Sequence, residues 1–119
     1  MTRIPAEDRD KIEQAIYLPM VLIILQRDLS IFEKGPFKLR NPYIEWVEQT
    51  IVYVQHELRD VKHFLRQQNI RVNEMKRDDA FTMYAFFYKG YEEHHNYFNP
   101  RIRNKVEELL KHYLFGRLQ

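Results

Sequence analysis

The chain has 119 residues, 45% hydrophobic and 30% charged, with a net charge of +2; this describes one globular domain, 1–119, and excludes a disordered polymer. It contains no cysteine, which rules out disulfides, thiolate catalysis and thiolate-held metal. The near-balanced charge gives no global reason to expect nucleic acid or an anionic membrane as partner.

The first helix is predicted from about Pro5 to Lys34. Pro5 suits a first turn, and Glu7, Asp8, Asp10 and Glu13 favour the positive end of the helix dipole. These charged opening turns carry no signal-peptide pattern, so the expected location is cytoplasmic. Ile12 and Ile16 begin an apolar face that widens to all sides between Leu18 and Leu25, as in a helix at the centre of a bundle. The uncharged run Ala15 to Leu25 is far shorter than the roughly 20 residues of a membrane span, so no membrane is expected. Pro19 predicts a kink or break near Tyr17, and Gly35-Pro36 ends the segment.

After a loop from Gly35 to Arg40, Asn41 can cap a second helix and Pro42 can occupy its first position. Ile44, Val47, Ile51, Val54, Leu58, Val61 and Leu65 then recur by threes and fours, a heptad seam that predicts one buried helix face. Opposite that seam His56 and His63 face solvent. Trp46 and Tyr53 run on a track beside it.

Two readings stand for residues 70–90. As helix, Asp78 or Asp79 caps a run in which Phe81, Tyr84, Ala85 and Tyr88 share a face. As a β-hairpin, Ile70 and Val72 alternate with polar residues, Lys76-Arg77-Asp78-Asp79 forms the turn, and Phe81 to Tyr88 is the returning strand. The helical reading is preferred because the rest of the chain is helical. Asn99-Pro100 opens a last helix, with Ile102, Val106, Leu109, Leu110, Tyr113 and Leu114 on one face and Gly116 to close it. The expected fold is mainly α, a compact bundle of three to four helices, with a short hairpin within 70–89 as the alternative.

Chemistry-bearing residues are sparse. On a helix, Glu92 and His95 have the spacing of a metal-binding pair, and His56, Asp60 and His63 share a face of the second helix. Solvent-facing histidines, the lack of core carboxylates on the first helix and the 100° separation of His94 from His95 argue against a metal centre. Ser30 is the lone serine and sits in a helical pattern; Gly35, Gly90 and Gly116 are isolated. No triad, phosphate loop or cofactor fingerprint results, so no enzyme, cofactor or metal is expected.

Arg59, Lys62, Arg66, Arg71, Lys76 and Arg77 form a basic stretch, 59–77, and Arg101, Arg103 and Lys105 a second group. Such clusters can follow a nucleic-acid backbone, but usually are the polar faces of amphipathic helices, and no nucleic-acid motif accompanies them. The aromatic strip from Tyr84 to Phe98 exceeds what one element buries. Trp46, Tyr53 and Tyr91 are therefore the candidate interface for a second copy or another protein, the seam making homodimerisation an expectation. The leading reading is a non-enzymatic, self-associating helical interaction protein. A nucleic-acid-associated regulator comes next, and a metal-dependent enzyme around 92–95 third.

The segment Phe87-Tyr88-Lys89-Gly90-Tyr91-Glu92-Glu93-His94-His95-Asn96-Tyr97-Phe98-Asn99-Pro100-Arg101-Ile102-Arg103-Asn104, together with Arg3-Ile4-Pro5 and Tyr17-Leu18-Pro19-Met20, resembles the YhjD-like family of small proteins from spore-forming Gram-positive bacteria. The resemblance covers nearly the whole chain. It implies a bacterial, cytosolic or sporulation-associated setting and brings no activity or residue roles with it.

Overall fold

The computed structural model describes residues 4–116. Three helices, α1 (Ala6–Lys34), α2 (Asn41–Gln67) and α3 (Asn99–Phe115), accompany three strands, β1 (Ile70–Arg77), β2 (Phe81–Tyr88) and β3 (Tyr91–Phe98). The strands form one antiparallel sheet in the order β1-β2-β3. The fold is α+β, which corrects the expected mainly α bundle of three to four helices.

The correction lies wholly between residues 70 and 98. β1 and β2 are the hairpin kept as the alternative, turning through Asp78-Asp79-Ala80. Asp78 Oδ1 accepts hydrogen bonds from the backbone N–H groups of Ala80 and Phe81 at 2.8 and 2.7 Å, so the acidic residue closes a turn and does not cap a helix. β3 was not foreseen. Lys89 and Gly90 join it to β2 with φ of 47° and 87°; two consecutive positive φ values are what a tight two-residue hairpin demands, and glycine supplies the second without strain. Aromatic and β-branched residues then win over helix because one sheet face can be buried against α1.

That face carries Ile70, Tyr84, Phe86 and Tyr88, all buried, and α1 lies across it: Tyr88 Oη donates to Asp8 at 2.8 Å and Tyr97 Oη to Glu13 at 2.9 Å. Beyond the sheet, α1 and α2 form an antiparallel pair with α3 against both. The seam behaves as the spacing predicts. Val47, Ile51, Val54, Leu58, Val61 and Leu65 are buried, Ile44 is half-buried, and His56 and His63 are exposed. One core cluster joins seam, α1, α3 and sheet.

Two expectations for α1 need amendment. The helix runs unbroken through Pro19, which excludes the break but not the kink of the expected pair. Nor is it enclosed on all sides: Ile23, within its most apolar stretch, is 66% exposed, because the sheet and two helices leave one strip of α1 uncovered. By length and composition alone α1 would suffice to cross a membrane; in this fold it packs on α2, α3 and β1.

Candidate functional site

In a strand, neighbouring side chains leave on opposite faces, and this reorganises the Glu92-Glu93-His94-His95 run. Glu92 pairs with His94 at 2.5 Å on the exposed face, and Glu93 with His95 Nε2 at 2.9 Å on the α1 side. Glu92 and His95, the pair that helical spacing would bring to one metal, are thereby separated by the sheet. The His95 ring stacks on Phe86 at 4.3 Å, and Arg9 approaches its Nδ1 at 3.5 Å, long for a hydrogen bond. Among the described residues, no group of three or more His, Asp or Glu side chains could hold a metal ion.

His95 lies at the wall of a cleft of about 680 Å³ between α1, β3 and the start of α3. Arg9, Glu13 and Tyr17 come from α1, Tyr97 from β3, and Arg101 and Lys105 from α3. Burial, reinforced by the Glu13 carboxylate, pushes the Tyr17 phenol up to about 12. Tyr97 is raised further by burial and by its hydrogen bond to Glu13. Phenols moved upward in this way stay protonated at neutral pH. They are donors and packing surfaces, poorly matched to acid–base work.

The geometry is accompanied by a clear relationship in sequence. A family model described as "YhjD protein" matches residues 3–118. A protein of Bacillus subtilis (strain 168) described as "Uncharacterized protein YhjD" is 44% identical over 116 residues, 98% of this chain and 97% of the relative.

The chain belongs to the YhjD family. No solved structure matches it, so the α+β arrangement of this YhjD family member rests on the residues already described.

The three interface candidates fall in different places. Trp46 Nε1 donates to the Leu114 carbonyl at 3.0 Å, and its ring leans on Phe115 at 5.7 Å. Tyr53 meets Tyr113 at 5.9 Å. Both aromatics hold the last turns of α3 against α2, which explains why they flank the seam. Tyr91 is exposed and begins β3. The structure therefore does not bring the three together: two anchor α3 and one opens an edge strand.

The basic stretch divides as well. Arg59, Lys62 and Arg66 lie along the outer side of α2, beside Leu22 of α1. Arg71 stacks on Phe87 at 4.9 Å on the far face of the sheet, while Arg77 pairs with Glu74 at 2.8 Å. Of the second group, Arg101 and Lys105 line the cleft, whereas Arg103 lines a separate groove between α1 and α3.

Sequence reasoning missed Asn99 and β3. Asn99 Oδ1 accepts from Thr82 Oγ1 at 2.7 Å, its Nδ2 donates to the Asp78 carbonyl at 2.9 Å, and its backbone N–H donates to Ala80 at 2.8 Å. It ties α3 to the β1–β2 turn. For β3 the available signal was Lys89-Gly90 between two aromatic-rich runs.

Proposed function

We propose that this YhjD family member is a non-enzymatic interaction protein that self-associates by pairing the outer edge of β3 with β3 of a second copy. The carrying observation is the contrast between the two sheet edges. β1 is interrupted by a register shift between Glu74 and Lys76 and carries Arg71, Lys76 and Arg77, the bulge-and-charge pattern that discourages further pairing. β3 keeps an unbroken register with β2 from Tyr91 to Phe98 and contains no Lys, Arg or Pro. Its side away from β2 hydrogen-bonds no strand among the described residues.

The strand is also complementary to itself. The two-residue turn makes Tyr88 and Tyr91 a hydrogen-bonded pair, so Glu92, His94 and Asn96 direct their backbone groups outward. An antiparallel pairing centred on His94 uses those groups and places Glu93, which pairs with its own His95, opposite the partner's His95 as well, twice. Carboxylate facing imidazole favours that register. The nucleic-acid reading has less to rest on, because its cations divide between two surfaces and Arg77 is held by Glu74.

Sedimentation of the full chain tests the proposal. At tens of micromolar the expected species is a dimer. His94→Pro removes an outward N–H without removing a β2–β3 bond, and is expected to give a monomer with unchanged far-ultraviolet circular dichroism. A monomeric parent chain, or a folded His94→Pro that remains dimeric, excludes β3 pairing.

A further inference from the structure

The α1–α2 loop forms a projecting tip of unusual composition. From Lys34 to Ile44 the chain has three cations, Lys34, Lys38 and Arg40, and no carboxylate. At the same place Ile31, Phe37 and Tyr43 are exposed, and Leu39 is 72% exposed. Large apolar side chains on a surface normally have polar neighbours of both signs in balance; here the cations outnumber the two exposed carboxylates, Glu33 and Glu45, that stand at the ends of the segment.

The tip is also built to hold its shape. Phe32, Phe37 and Tyr43 form a ring cluster, with Phe32 and Tyr43 stacked at 5.6 Å and Phe37 within 5.7 Å of each. A Cβ at Gly35 would stand 2.7 Å from the Phe37 ring, so glycine is needed for the loop to close onto its own aromatics. Arg40 donates to the Glu33 carbonyl at 2.5 Å across the loop. Phe37 packs against its neighbours while keeping part of its ring exposed, and Leu39 is the most exposed apolar side chain of the tip.

The sheet lies against the opening turns of α1, through Asp8 and Glu13, and α1 spans 29 residues, on the order of 43 Å at 1.5 Å per residue. The greatest extent of the molecule is 54 Å. The tip therefore marks the end remote from the sheet.

We propose that this tip docks on the surface of a bilayer containing anionic lipid: Leu39 enters the acyl boundary, Phe37 and Tyr43 lie at headgroup depth, and Lys34, Lys38 and Arg40 meet lipid phosphates. Two features select a bilayer over a protein. The tip is one short loop between two helix ends, so it can wedge into a soft interface but covers little area against a folded partner. Its mixture of exposed aliphatic side chain, interfacial aromatics and a surplus of cations is the pattern that holds proteins at anionic membrane surfaces. The expectation of no membrane rested on the lack of a spanning segment and on the near-balanced net charge of +2; surface attachment needs no span, and a local surplus of cations at the tip can act without a global one.

Co-sedimentation with vesicles of phosphatidylglycerol and phosphatidylcholine, against phosphatidylcholine alone, tests this on the full chain at low salt. Binding is expected for the anionic vesicles and should weaken as salt rises. Leu39→Asp, at a position outside the core, is expected to lower partition roughly tenfold or more, and the Lys34→Gln, Lys38→Gln pair by about the same factor. In Leu39→Trp, lipids brominated in the acyl chains should quench the added fluorescence. Absence of partition onto anionic vesicles overturns the proposal, as it would if the tip served an acidic protein instead. Partition unaffected by Leu39→Asp, or an unquenched Leu39→Trp, assigns binding to another surface and equally overturns it.

Discussion

Asn41-Pro42 and Asn99-Pro100 are the same dipeptide at two helix starts, yet the side chains do different things. Neither helix has a side-chain cap hydrogen bond. Asn41 is exposed and its proline alone favours the first turn. Asn99 satisfies the hydroxyl of Thr82, which is 2% exposed, and reaches back to the Asp78 carbonyl. Removing the amide strands a buried hydroxyl. Asn99→Ala is therefore expected to destabilise the fold by about 1–3 kcal/mol in urea titration, and Asn41→Ala by less than about 0.5 kcal/mol. Equal effects would mean that Asn99 does not tie α3 to the turn. Sequence shows both asparagines as caps because local spacing contains no information about a turn 20 residues earlier.

At the scale of elements, the β2–β3 hairpin depends on the two-residue connection Lys89-Gly90. Gly90 has φ of 87° and open space where a Cβ would stand, so a substitution there meets backbone strain and no clash. Gly90→Ala is expected to lose about 1 kcal/mol, and Gly90→Asn less, since asparagine tolerates positive φ. Thermal unfolding of the two variants would show this; a Gly90→Ala as stable as its parent would contradict the turn. The heptad rhythm of α2 was legible because amphipathic periodicity needs only one buried side. β3 was not, because Glu-Glu-His-His-Asn shows no alternation until one knows that α1 covers one of its faces.

For the molecule as a whole, the phenols report on how the layers close. Tyr17 on α1, Tyr97 on β3 and Tyr113 on α3 are all raised by burial first, with Glu13 acting on the first two and Glu57 on the third. Tyr113 Oη donates to Glu57 of α2, so these groups join different elements. A folded-state pKa above the unfolded value of 10.0 stabilises the fold fully below that pH, and the contribution is lost as pH climbs, for Tyr17 between 10 and about 12. The urea midpoint is expected to fall across that window, with tyrosinate absorbance rising together with the loss of helix signal. Phenols that ionise near pH 10 while circular dichroism holds would show that the layers are looser than described.

By itself the sequence determined three helices, the buried side of α2, the solvent-facing histidines and membership of the YhjD family, because each is fixed by local periodicity or by similarity along the chain. Whether residues 70–98 became helix or sheet was decided only in three dimensions. Those residues have nearly balanced local preferences, and the balance is broken by a surface of α1 against which Ile70, Tyr84, Phe86 and Tyr88 can be buried. The same event placed Glu92 and His95 on opposite faces and β3 at the margin of the sheet, since a strand divides its neighbours by a rule of two where a helix would have gathered them by three and four.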